Sequence, residues 1–134
     1  MKLTQLFEVT PHGGDIFVGD GHPYPWGGLY GGHIVTQALN AASQTVEGDF
    51  LPHSLRAYFI RRGDNTETVR YEVDRIRNGR SFVTRRVVAR QANGAILNLE
   101  ASYQAPENSP EVTVVSMPSN IPLPDSLPAA DTWS

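Results

Sequence analysis

The sequence has no cysteine and a single lysine, Lys2. The first absence removes a disulfide framework and any thiolate metal site, and it suits a reducing compartment. No apolar run approaches the ~20 residues that span a bilayer. Residues 1–5 are not followed by the apolar stretch of a secretory leader. The expectation is therefore a cytoplasmic protein, with no membrane partner. The four histidines (His12, His22, His33 and His53) show no zinc-ligand spacing and no HExxH motif. No metal and no cofactor are expected.

With lysine nearly absent, arginine carries the positive charge. All ten arginines fall between Arg56 and Arg90. That stretch holds only four acids, Asp64, Glu67, Glu72 and Asp74, and is +6. The remainder sets Lys2 against ten acids and is −9, so the net charge of −3 conceals a split. Guanidinium forks grip phosphate through paired hydrogen bonds. The plainer alternative is a solvated sheet face whose arginines pair with Glu72 and Asp74 on neighbouring strands.

At 134 residues the chain makes one domain at most. Residues 22–28 hold two prolines and two glycines and are not helical. Gly31-Gly32 opens one helix over about residues 33–46, with Ile34, Ala38 and Ala42 at spacing four and Gly48 as its stop. From Pro52 the period changes to two, and His53 starts a central strand beside the helix. Strands run from 53 to 60, 69 to 74, 81 to 91 and 95 to 103, with two-residue turns expected at Asn78-Gly79 and Asn93-Gly94. Six of the ten prolines lie beyond Gln104. That composition reads as a linker. The division is residues 1–104, a folded unit, and 105–134, a proline-rich tail. The pattern is α+β: a curved antiparallel meander around one helix, the hotdog architecture.

Four blocks go further. Residues 31–39 (GGHIVTQAL), 52–64 (PHSLRAYFIRRGD), 77–87 (RNGRSFVTRRV) and 101–106 (ASYQAP) resemble the N-terminal half of the acyl-CoA thioesterase II family. The resemblance implies a double-hotdog hydrolase of fatty acyl-CoA. This chain would be its first hotdog, and the aspartate, threonine or serine, and glutamine of the catalytic triad would belong to the second. It implies an acyl-CoA substrate and a second hotdog supplied in cis or as a homodimer, with Phe59 and its strand neighbours near the contact.

The residues agree that the half is incomplete. Thioester hydrolysis needs an activated water and donors for the developing oxyanion. Residues 33–46 contain no Asp or Glu. Gly31, Gly32 and His33 are the best substrate-binding positions, because glycines let backbone N–H groups approach and a helix N-terminus is partly positive. Their bland reading is a tight turn. His33 and His53 are the candidate catalytic bases, against the commoner reading of packed, hydrogen-bonded histidines. Arg80, Arg85 and Arg86 are the candidate contacts to CoA phosphates. Phe59, Tyr71, Phe82 and Tyr103 read as core or as borders of an acyl tunnel. A non-catalytic acyl-CoA binding module is the runner-up. Nucleic-acid binding lacks its aromatic motif. A hotdog dehydratase needs a helix acid that is missing.

Overall fold

The computed structural model describes residues 2–129. A short 3-10 helix, Leu3–Phe7, leads into β1 (Thr10–Pro11) and β2 (Ile16–Gly19). The helix α1 spans Gly31–Ser43, and four long strands follow: β3 (Leu51–Phe59), β4 (Val69–Asn78), β5 (Phe82–Gln91) and β6 (Gly94–Gln104). All strand pairs are antiparallel, in the order β1-β2-β4-β5-β6-β3. Residues 105–129 carry only the 3-10 turn Pro124–Ser126 and lie largely exposed.

The order corrects the meander. β3 does not pair with its sequence neighbour β4 but crosses to β6 and forms one edge of the sheet. His53 therefore sits on an edge strand, not a central one.

The helix lies on one sheet face because its buried stripe is small. Ala38, Ala41 and Ala42 are wholly covered, with Ile34 beside them. Alanines let a helix approach closely, and the sheet supplies the bulk: Val69, Tyr71, Val87, Leu97, Leu99 and Tyr103 alternate along β4, β5 and β6. α1 ends at Ser43, three residues before the expected end at Val46. Thr45 turns its hydroxyl back to the Ala42 carbonyl at 2.7 Å, and Ser43 bonds both the Leu39 carbonyl and the Tyr103 hydroxyl. Gly48, at φ +76°, serves the following turn.

Both hairpins differ from their expected turns. Gln91 pairs with Gly94, so Ala92-Asn93 is the loop, and a register shift follows at Ala89/Arg90. Gly94 alone takes positive φ there, +109°, the arrangement of a turn closed by a glycine bulge. Asn78 is the last residue of β4 and neither it nor Gly79 adopts positive φ. Its side chain is engaged elsewhere, as described below.

The sheet's other face carries the charge. Asp74 on β4, Arg86 on β5, Glu100 on β6 and Arg56 on β3 form one row across four strands. Ion pairs close Asp74–Arg86 at 2.9 Å and Glu100–Arg56 at 2.7 Å. Glu72 bridges Arg70 and Arg90, and Arg75 holds Asp15 through two bonds. Each such pair is exposed and contributes little to stability. Four of the ten arginines, Arg56, Arg70, Arg86 and Arg90, thus make the solvated, ion-paired face, whereas Arg75 borders Thr45 and Arg85 on the helix side.

Candidate functional site

The N-terminus of α1 is where backbone donors, small residues and rings converge. Tyr30 is its N-cap and offers no side-chain bond. His33 and Ile34 donate to the Tyr30 carbonyl, whereas the amides of Gly31 and Gly32 have no acceptor among the described residues. Neither glycine has positive φ. They are needed for a different reason. A Cβ on Gly31 would lie 2.9 Å from the Phe59 ring, and one on Gly32 would lie 2.6 Å from the Tyr30 ring. The two rings rest directly on the backbone that carries the free amides.

The approach to this turn is a rigid aromatic loop. Gly27 and Gly28, at φ +63° and +84°, reverse the chain, and Leu29 N–H donates to the Gly63 carbonyl at 3.0 Å. Arg62 clamps it from β3's end, with Nη2 donating to the carbonyls of Trp26 and Gly27. The Tyr24 and Trp26 rings are stacked, and Tyr30 stands edge-on to the indole.

Beneath them His33 is 1 % exposed, and the Tyr24 hydroxyl lies 3.1 Å from its Nδ1. Burial holds the imidazole below its ordinary titration range, with His22 pushing the same way and the Leu6 carbonyl opposing in part. Burial, then Tyr30, raises the Tyr24 phenol. Both groups are therefore uncharged near neutral pH, and the hydroxyl and Nδ1 share one hydrogen bond whose donor follows the histidine tautomer. Nε2 has no partner at hydrogen-bond geometry among the described residues. A base already engaged to a phenol and sealed from solvent is poorly placed to activate water. The arrangement has a pH signature. Unfolded, His33 binds a proton more readily than when folded, so stability is full above about pH 6.5, its ordinary value, and declines as pH falls below it. In urea titrations between pH 7.5 and 5, His33→Leu should flatten that decline. An unchanged slope rejects this account.

The structure separates the other candidates from this turn. Arg85 is 1 % exposed and faces the helix side, at the opposite end of α1. Its Nε and Nη2 donate to the Thr45 hydroxyl and carbonyl, its Nη1 to the carbonyls of Arg77 and Thr84, and its Nη2 also to Asn78 Oδ1. All five N–H groups are spent, none on a carboxylate, and none remains for phosphate. A helix of 13 residues is about 20 Å long, which keeps Arg85 well away from Gly31. Arg86 is paired to Asp74 on the outer face. Arg80 is exposed at the β4–β5 turn, without an ion pair or hydrogen bond among the described residues. His53 donates to or accepts from Ser102 Oγ at 2.9 Å, on the face turned away from the helix, against Phe82.

Carboxylates exist near the helix, but elsewhere. Glu8 and Asp20, with His12 and His22, border a groove of about 440 Å³ on the β2 side; Gln37 lines it, Gly31 and Gly32 do not. Gln37 itself is locked by Tyr71 at 2.6 Å and by the carbonyls of Leu6 and Asp20. No group of metal-binding side chains is assembled among the described residues.

The wall beside Gly31 is unfinished. Leu55 and Phe59 share the helix-side face with Ala57, yet Phe59 is 61 % exposed. Leu55 is also exposed there, and Tyr30 and Trp26 are exposed on the loop that leads into Gly31. Sequence reasoning missed Tyr24, Trp26 and Tyr30 as a cluster. Their signal was three rings within seven residues of a Pro/Gly loop.

Residues 22–104 match the model of the acyl-CoA thioesterase N-terminal domain. The chain belongs to this family. Human acyl-coenzyme A thioesterase 8 is 39% identical over 130 residues, covering 97% of this chain and 40% of that protein. Acyl-CoA thioesterase 2 of Haemophilus influenzae is 38% identical over 106 residues, covering 79% of this chain and 37% of its own length. The crystal structure of acyl-CoA thioesterase II TesB2 from Mycobacterium marinum superposes with a TM-score of 0.75 at 32% identity, over 91% of this chain and 46% of that one. The hotdog fold is shared with a protein of unknown function from Alicyclobacillus acidocaldarius at a TM-score of 0.81 and 20% identity. The chain thus spans about two fifths of the curated relatives it matches.

Proposed function

We propose that this acyl-CoA thioesterase N-terminal domain is the first hotdog of an acyl-CoA hydrolase and cannot hydrolyse without a second. The observation that carries the reading is the unfinished wall: free amides at Gly31 and Gly32 lie beside a bare apolar edge, on a helix with no Asp or Glu. Those amides, at the positive end of α1, suit the thioester carbonyl as it becomes an oxyanion. The base that activates water comes from the second unit, seated along β3. The acyl chain lies between α1 and the completed wall, against Leu55 and Phe59. Arg85 and His53 take no part, the first because its donors are spent and the second because it faces away.

The test is an acyl-CoA hydrolysis assay on the chain alone and with a second hotdog, joined after the tail or added in trans. A missing general base alone is worth about 10²–10⁴ in rate. The chain by itself should stay below the completed protein by at least that factor. Turnover by the chain alone at the completed protein's rate refutes the reading.

A further inference from the structure

The aromatic loop is built more carefully than a cover for a helix end requires. Tyr24 and Trp26 lie 4.9 Å apart at 11°, and Tyr30 meets the indole at 6.3 Å and 67°. The result is a floor and a wall. Trp26 nevertheless stays 59 % exposed and Tyr30 56 %. Arg62 holds the loop backbone through Nη2, while its Nε and Nη1 make no hydrogen bond among the described residues. A Cβ on Gly28 would come within 2.6 Å of that Nε, so the guanidinium lies close against the loop at Gly28.

We propose that the Trp26 indole, walled by Tyr30 and flanked by Arg62, seats the adenine base of the CoA ester, with the free edge of Arg62 on its phosphates. The proposal rests on the hydrolase reading above. Three features favour a nucleotide over an acyl chain or a protein surface. A stacked ring pair with one remaining face suits a planar heteroaromatic group. An adjacent guanidinium with unspent donors suits an anion joined to that group. A loop already held by hydrogen bonds loses little further freedom on binding. The acyl chain has its own strip at Leu55 and Phe59. Tyr30 touches both Gly32 and Trp26, so the arm between thioester and base must fold back along the loop instead of extending into solvent.

The chain has two tryptophans. In the Trp133→Phe protein, Trp26 becomes the sole indole reporter. Adenosine 3′,5′-bisphosphate should quench its emission, and pantetheine should not. By calorimetry, Trp26→Leu should weaken CoA binding about tenfold, a typical loss for one stacking side chain. Trp26→Phe should recover part of it, and the thermal midpoint should hold. Arg62→Met should weaken the nucleotide and reduce the salt dependence of its affinity. Absence of quenching, or unchanged CoA affinity in Trp26→Leu, overturns the proposal. So does failure of Trp26→Leu to dock the second hotdog while nucleotide binding is intact, which would make the shelf a partner's seat. Failure of the hydrolase reading is separate: it is loss of turnover in the unsubstituted, completed protein.

Discussion

Replacing Arg85 by methionine should cost about 3–5 kcal/mol, a drop of roughly 10–20 °C in thermal midpoint, and leave the affinity for CoA phosphates nearly unchanged in whatever protein still folds. The guanidinium gathers the end of α1 at Thr45 and the tip of β4 at Arg77 and Asn78 into one point. Methionine fills much of the volume but leaves those carbonyls and the Asn78 amide without a donor. Each stranded acceptor is worth about 1–3 kcal/mol. Lysine restores the charge but not the planar fork, so Arg85→Lys should recover little. Arg86→Met, on the outer face, is the control and should shift stability by no more than about 0.5 kcal/mol. Urea denaturation of the three variants decides the matter. If Arg85→Met folds as stably as the parent and instead loses CoA, the residue is a ligand after all.

Placing Asp at both Leu55 and Phe59 should abolish docking of the second hotdog and with it at least 100-fold of the activity of the completed protein. Both side chains lie on the helix-side face of an edge strand, exposed yet apolar. An uncovered nine-residue edge is a template for another strand. Two carboxylates there must be desolvated without partners, which costs several kcal/mol and outweighs what the contact supplies. The chain itself should keep its thermal midpoint, because neither residue belongs to its buried core. Sedimentation of the double variant with the second unit separates lost assembly from lost chemistry. Normal assembly would show that the contact lies elsewhere.

Much of this was open to the sequence, and the reasons for the rest are physical. Periodicity located α1 and the four long strands, since burial on one face leaves its mark at every second or fourth residue. It did not locate β3 in the sheet: strand order depends on long-range pairing, and Leu55 and Phe59 alternate equally well at an edge or a centre. At Arg85 two sequence signals conflict. It shares its parity with Val83 and Val87, which placed it inside, whereas its charge suggested outside; burial with five hydrogen bonds reconciled the two. Asn78-Gly79 has the composition of a tight turn, yet the demand of Arg85 for an acceptor drew Asn78 into the strand. Gly31 and Gly32 were recognised as special. Only coordinates could show that the cause is the closeness of two rings and not a reversal of the chain. His33 reads as a base in sequence, and its burial and its tyrosine partner make it a packing residue.

The row Asp74–Arg86–Glu100–Arg56 stops on a cation where the sheet stops. A strand laid alongside β3 thus meets a reading frame. The alignment that sets an acid across from Arg56 continues the alternation into a fifth strand. A slip of one residue turns that acid to the helix side and brings an inward side chain out to face the guanidinium. The ladder contributes little energy to this domain alone, but it makes neighbouring alignments unequal and so selects how a strand docked there must lie.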